Sequence, residues 1–328
     1  MTRTFTPKDA VREAVPLFVG IVGPSGGGKT TSALRLATGI QQVVGGDIHF
    51  IDTENRRGLH YADQFNFKHV QFDPPFASLD YKDAIEQSAS AGAGVVIVDS
   101  MSLEHEGPGG MIDYQEREVD RLAGENASFG KRQAVAMLAW QKPKSARRQL
   151  LQAITRTNAH VICCFRAKNT SKPVKVNGRT EVVPMGFVPI CGDELQFEMA
   201  LSALLLPGAD GRPTWRPENP GEKQAVKLPR QFRWLEDYDG PLDENVGKRL
   251  AEWAKGGGEA AKLDDAWLKS VEERVTRKEI TGAEWQEVTR DERWIVAKTV
   301  AADRASLLVS AVKALAAQRA KATEGDDQ

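Results

Sequence analysis

Three groups of residues in this chain have types and spacing suited to chemistry on a polyphosphate. The first is Gly23-Pro24-Ser25-Gly26-Gly27-Gly28-Lys29-Thr30, followed by Thr31. It satisfies the pattern G-x-x-x-x-G-K-[ST] between an apolar run and a helix-forming segment. Glycines let successive backbone N–H groups converge on phosphate oxygens where side chains would obstruct, and a helix starting there aims its partial positive charge at the same point. Lys29 is suited to the β- and γ-phosphates and the Thr30 hydroxyl to Mg²⁺, so Gly23 through Thr31 form a candidate Mg-ATP loop. The second group is Val95-Val-Ile-Val-Asp99, which places a carboxylate at the end of an apolar strand, where a metal anchor belongs. The third is His49-Phe-Ile-Asp52-Thr-Glu54. A carboxylate at Glu54 could orient or deprotonate the water that attacks a γ-phosphate; the alternative is that Asp52 and Glu54 are the solvated end of a strand.

The elements that must position these residues alternate. LFVGIV (17–22) is a strand, Thr30 to Ile40 a helix, Ile48 to Ile51 a strand, Tyr81 to Ala91 a helix and Val95 to Val98 a strand. A helix from Ser145 to Arg156 and a strand from His160 to Phe165 continue the series, which predicts an α/β fold with a mostly parallel sheet flanked by helices. The polar, basic stretch Ala167 to Thr180 reads as a long functional loop. Phe197 to Leu206 and Ala225 to Leu228 read as later strands, and this half of the sheet as antiparallel. Glycines at 256–258 suggest a boundary between a domain at 1–255 and a small all-α domain at 256–328 that ends in a disordered acidic tail, EGDDQ.

With 44 basic and 45 acidic residues, the chain as a whole gives no reason to expect a polyanionic partner. The first residues lack an apolar signal core and no stretch is long enough to span a membrane, which predicts a soluble, cytoplasmic protein with no membrane partner. Cys163, Cys164 and Cys191 have no metal-binding spacing and read as core residues.

Taken in order, GPSGGGKT, FIDTE and VVIVDS resemble the RecA-like recombinases. Similarity is closer still to the small RecA-like ATPases of bacteriophages, known as phage nucleotide-binding or single-strand-annealing recombination proteins. It is carried by residues 23–37, 51–67, 73–76, 98–110, 140–144 and 161–168. The resemblance implies a RecA-like P-loop core in which Gly23, Gly28, Lys29 and Thr30 hold ATP and Mg²⁺, Asp99 supports the metal and Glu54 activates water. It also implies that Arg166 or Lys168, at the end of the strand after VVIVDS, senses the γ-phosphate. Where the phage proteins read Ser-His-Glu-Trp-Glu-Gly, this chain has Ser102-Leu-Glu104-His105-Glu106-Gly107. Glu104 or Glu106 could assist the metal or replace Glu54, and His105 could carry a proton or bind a metal, the alternative being an ordinary loop side chain.

Arg166, Lys168, Lys172, Lys175 and Arg179 occur with no acidic residue until Glu181. Such a cationic segment could neutralise the phosphates of single-stranded DNA, and Lys168, Lys172, Lys175 and Arg179 are its candidate DNA contacts. Lys142, Lys144, Arg147 and Arg148 open a helix, where cations oppose the macrodipole unless an anion faces them. RecA-like ATPases work as filaments or rings, so a homo-oligomer with a bridging cation such as Lys227 or Arg230 is expected, and a single-strand-binding protein is a further expected partner. The leading reading is a DNA-stimulated ATPase acting in recombination or repair by annealing or strand exchange. The alternatives are a nucleotide switch or helicase-loading ATPase and a small-molecule kinase.

Overall fold

The computed structural model describes residues 5–7, 10, 12–176, 179–256, 264–291, 293–294, 297–298 and 301–325. They fall into two compact units, one spanning Glu13–Gly256 and the other comprising the described residues from Asp264 on with those before Glu13.

Apolar runs such as FVGIVG and AGVVIVD become strands buried on both faces, as a parallel sheet between helices requires. The first unit is built on a seven-stranded sheet of β1 (Phe18–Gly23), β2 (Asp47–Asp52), β3 (Lys68–Gln71), β4 (Ala93–Asp99), β5 (His160–Val176), β6 (Arg179–Pro189) and β7 (Leu201–Leu204). Its order is β3-β2-β4-β5-β1-β7, with parallel pairing throughout, while β6 pairs antiparallel with the far half of β5. Helix α1 (Lys29–Val44) covers one face, where Leu34, Leu36 and Ile40 pack with Phe232, Val246 and Leu250. Helices α2 (Ser78–Ser90) and α6 (Gln141–Arg156) cover the other, through Tyr81, Ile85, Leu150 and Ile154.

Helix α9 (Glu244–Ala254) lies unusually close to α1 because each contributes a glycine to the contact. A Cβ at Gly247 would stand 2.2 Å from the Leu36 carbonyl oxygen, and one at Gly39 would stand 1.9 Å from that of Glu244. Arg35 adds a forked ion pair to Glu244, with Nε–O distances of 3.0 Å and an Nη2–O distance of 2.7 Å. The helix that carries the phosphate loop is thereby clamped along its outer side.

Several sequence expectations change here. The segment from Ala167 to Thr180 is not a loop: β5 continues to Val176 and pairs with β6 as a two-stranded arm. Alternating small, β-branched and charged residues suit an exposed ladder, and Asn177-Gly178 is a strong hairpin signal. Those two residues lie outside the described ones. In the far half of the sheet β7 pairs parallel with β1, and antiparallel pairing is confined to the isolated bridges of Ser202 with Lys227 and Leu204 with Thr214. Phe197 begins no strand; it lies in the helical turn Asp193–Glu198, and β7 starts at Leu201. Lys227 contributes only a single bridge to Ser202, because the helical turn Pro220–Lys223 and Pro229 leave no room for a full strand. Strand β3 and helix α9 were not predicted; β3 has only four residues, and its KHVQ has no apolar run.

The second unit is helical among its described residues. Asp264 caps the helix Asp265–Thr276 by accepting from Trp267 N at 2.8 Å, and Thr281 with Glu284 forms a capping box for the helix Gly282–Arg290. Trp294 is buried and meets Trp285 edge-on, with ring centroids 5.1 Å apart. The last helix runs from Ala302 to Gly325, so Glu324 and Gly325 of the expected tail are helical, while 326–328 lie outside the described residues.

Substituting Gly247 with Ala is expected to cost on the order of 1–3 kcal/mol, since backbone rather than a flexible side chain occupies the space. Gly130→Ala, in the helix Phe129–Ala136 with open space around it, is expected to be neutral or stabilising by about 0.5–1 kcal/mol. Urea unfolding of the two variants would check the contrast.

Candidate active site

The parallel sheet brings the chemical groups together at one edge. In register, Asp52 on β2 lies beside Asp99 on β4, Asp99 beside Cys164 on β5, and Arg166 on β5 beside Gly23 on β1. The C-terminal ends of β1, β2 and β4, and the point where β5 leaves the parallel sheet, therefore lie together, where ligands of open α/β sheets bind. Local bonds tie these ends: Thr53 N donates to Asp99 O at 2.9 Å, Ser100 N to Thr53 Oγ1 at 2.7 Å, and Arg166 N to Ser102 Oγ at 2.9 Å.

The loop between β1 and α1 forms the cradle. Gly26 and Gly28 have φ of 81° and 87°, a region that side-chain-bearing residues rarely adopt. Gly23 admits no Cβ, which would stand 2.1 Å from the Leu205 carbonyl oxygen. Lys29 Nζ donates to Pro24 O at 2.8 Å, folding the ammonium over the loop. The cradle opens on a cleft of about 830 Å³ lined by Ser25, Gly26, Gly28, Lys29 and Thr30 on one side and by Glu54, Arg57, Asp99, Glu106 and Arg166 among others. Thr31 does not line this cleft; with Gly28 it borders a smaller cavity of about 260 Å³ beside Arg35, Asp210 and Gly211.

Asp99 is 6% exposed and accepts the Thr30 hydroxyl at 2.6 Å. Burial pushes its carboxyl up to about 6; the Thr30 bond and the Lys29 charge oppose that shift, while Glu54 and Asp52 add to it. A buried carboxylate beside a hydroxyl, with no cation among the described residues bonded to it directly, is a donor set suited to Mg²⁺. Among the described residues no cluster of three or more His, Cys, Asp or Glu could hold a metal alone, so the phosphates and water must complete its shell.

Glu54 is held by two arginines. Arg166 reaches Oε1 from Nε at 2.8 Å and from Nη2 at 2.7 Å, and Arg57 Nη1 reaches Oε2 at 3.2 Å. Asp52 is not a solvated strand end: it is 2% exposed and accepts from Glu54 N at 2.8 Å, from Gly58 N at 2.7 Å and pairs with His69 Nε2 at 3.1 Å. It organises the turn that presents Glu54 and Arg57. The Asp-x-Glu spacing of an Asx turn was the available signal for this role.

Glu104 can neither hold a metal nor replace Glu54. It is fully buried and taken by Ser78 Oγ at 2.5 Å and by Arg147, whose Nη2 lies 2.6 Å from Oε2. His105 receives the same guanidinium at 3.1 Å from Nδ1; burial and the Arg147 charge lower its pKa, so the ring stays neutral. Glu106 alone of this acidic segment lines the cleft. Arg147 and Lys142 need no external anion, since Lys142 pairs with Glu118 at 3.0 Å. Lys227 Nζ donates to Phe197 O at 2.6 Å. Cys163 and Cys164 are fully buried free thiols with raised pKa, and burial pushes Cys191 up to about 11.

Cradle, buried carboxylate and sheet order together define a P-loop nucleoside-triphosphatase core. The family model AAA_24, an AAA domain, matches residues 16–185, more than half of the chain, and the chain belongs to that family. It is an ATPase of the P-loop type, a class that binds nucleotide usually with Mg²⁺. No curated protein matches the chain. Among the described residues no helix is long and apolar enough to cross a membrane.

Because the folded-state pKa of Asp99 is raised, its ionised form penalises folding above about pH 6, and the penalty fades as pH falls toward the ordinary carboxylate range. Asp99→Asn is therefore expected to stabilise the Mg²⁺-free protein at pH 8 by on the order of 1–3 kcal/mol, with little gain left near pH 4. Thermal melts should also find that Mg²⁺ with ATP stabilises the native protein more than the variant.

Proposed function

We propose that the protein is a single-stranded-DNA-binding recombination ATPase of the kind the phage RecA-like resemblance implies, hydrolysing ATP to change its grip on the strand. In this reading the Gly23–Thr31 loop binds the triphosphate, Lys29 and Arg166 meet its terminal phosphates, and Glu54 takes a proton from the attacking water. Thr30 and Asp99 would hold Mg²⁺, which when bound neutralises charge on the β- and γ-phosphates.

One observation carries the DNA half of the proposal. The strand that ends the nucleotide cleft at Arg166 and Ala167 continues without interruption into the β5–β6 arm, so a cationic arm and a phosphate site share one strand. By strand alternation Lys168 lies on the face of Arg166, while Lys172 and Lys175 follow the register shift between Thr170 and Ser171. All three lysines are exposed, and among the described residues none makes an ion pair. The side chain of Arg179 lies outside the described residues. Exposed, uncompensated cations on a projecting ladder are suited to phosphates of any sequence. Assembly of several copies along the strand, with a single-strand-binding protein displaced or engaged, follows from the same reading.

Lys29→Ala is expected to abolish ATP turnover, and Glu54→Gln to retain ATP while losing hydrolysis. The ATPase rate should rise with single-stranded DNA and the rise should weaken with salt. For the double variant Lys168→Ala/Lys172→Ala, the slope of log affinity against log salt should fall in magnitude by about 1.4. Turnover indifferent to DNA in both proteins would point instead to a nucleotide switch or loading factor, and phosphate transferred to an added metabolite would point to a kinase.

A further inference from the structure

The turn after β2 carries a cation that no sequence pattern singled out. Asn55 and Arg56 have φ of 56° and 65°, two consecutive left-handed residues that are not glycine. Such backbone persists only where its surroundings hold it, and here the buried Asp52 carboxylate does so by accepting from Glu54 N and Gly58 N. Gly58 seals the turn onto the sheet, since a Cβ there would stand 2.5 Å from the Phe50 ring. The result is that Arg57 enters the nucleotide cleft from the same turn as Glu54, with a side chain 71% exposed and paired with Glu54.

We propose that Arg57 is a catalytic residue that contacts the γ-phosphate of ATP bound in its own chain, and that it and Arg166 hold Glu54 inactive until that phosphate arrives. The proposal rests on the ATP-hydrolysis reading of this site. Arg166 takes Glu54 Oε1 with two N–H groups and Arg57 takes Oε2 with one, so three of the carboxylate's roughly four lone-pair sites are engaged and a water must compete with both guanidiniums. The arginine ends of these pairs reach solvent, Arg57 most of all, which weakens their hold on the half-buried Glu54, whereas a phosphate offers more charge and a matching fork geometry. The γ-phosphate therefore draws both arginines off Glu54. A water oxygen then bonds to the γ-phosphorus, the bond from that phosphorus to the β,γ-bridging oxygen breaks with its electron pair leaving on ADP, and the water proton passes to the released Glu54. The arginines neutralise the charge on the transferring group, a role that such sites fill either from their own chain or from a neighbour. ADP has no γ-phosphate and leaves Glu54 held.

The test uses the full chain with Arg57→Ala and Arg57→Lys, measuring steady-state ATPase rate and the affinities for ATP and ADP. Arg57→Ala is expected to lower kcat by about 10²- to 10³-fold, to weaken ATP, and to leave ADP affinity within about twofold; Arg57→Lys should recover part of the rate. An equimolar mixture of Arg57→Ala and Lys29→Ala should stay inactive, because the arginine acts on its own chain's nucleotide. Recovery in the mixture would assign the cation to a neighbouring copy and overturn the proposal, as would Arg57→Ala turning over ATP within about threefold of an active native protein. A native protein that neither binds nor hydrolyses ATP would overturn the underlying reading and the proposal with it.

Discussion

The site depends on one constraint, the burial of the Asp99 carboxylate against the Thr30 hydroxyl. Removing a carboxylate from water is costly unless a cation or dense hydrogen bonding compensates it, and here one hydroxyl makes a direct bond while Lys29 acts only at a distance. The carboxyl responds with a pKa of about 6, so near neutral pH the protein holds a negative charge that a divalent ion would relieve. A charge held at the expense of stability is a common arrangement at functional sites.

Keeping that carboxylate in place requires the sheet. Strand β5 lies between β4 and β1, so the strand bearing Asp99 and the strand leading into the phosphate loop are not neighbours. The middle of β5 occupies the gap between their ends, and Arg166 lies there beside Gly23. The strand that separates β4, which bears Asp99, from the Gly23–Thr31 loop thereby supplies a cation to the space between them, and its continuation becomes the lysine-bearing arm. Glu222, 5% exposed, steadies the arm's base by accepting from Phe187 N at 3.1 Å.

Behind the cleft, the Glu104–Arg147 pair has a different logic. Both groups are almost wholly removed from water and each satisfies the other, so breaking the pair from one side would leave an isolated buried charge, a loss of about 3–5 kcal/mol. The pair joins the short helix Ser102–Glu106, directly after β4, to α6. That same helix supplies the Ser102 hydroxyl that receives Arg166 N. The ion pair accordingly fixes the segment against which the end of β5 is aligned.

The local sequence determined the phosphate loop, the strands that end in Asp99 and near Glu54, and the alternation that makes the sheet parallel. Each is a short-range pattern: glycine permits a backbone that other residues avoid, and apolar runs must bury both faces. Tertiary structure decided which charges face the cleft. Glu104 and Glu106 are two residues apart in one acidic segment, yet one is sealed beneath Arg147 and the other borders the cleft. Arg57 and Arg166, 109 positions apart by number, meet on the two oxygens of one carboxylate. The basic stretch read as a loop is a ladder because a partner strand supplies its hydrogen bonds. Pairing over such separations depends on which strands lie side by side, and spacing along the chain does not encode that order.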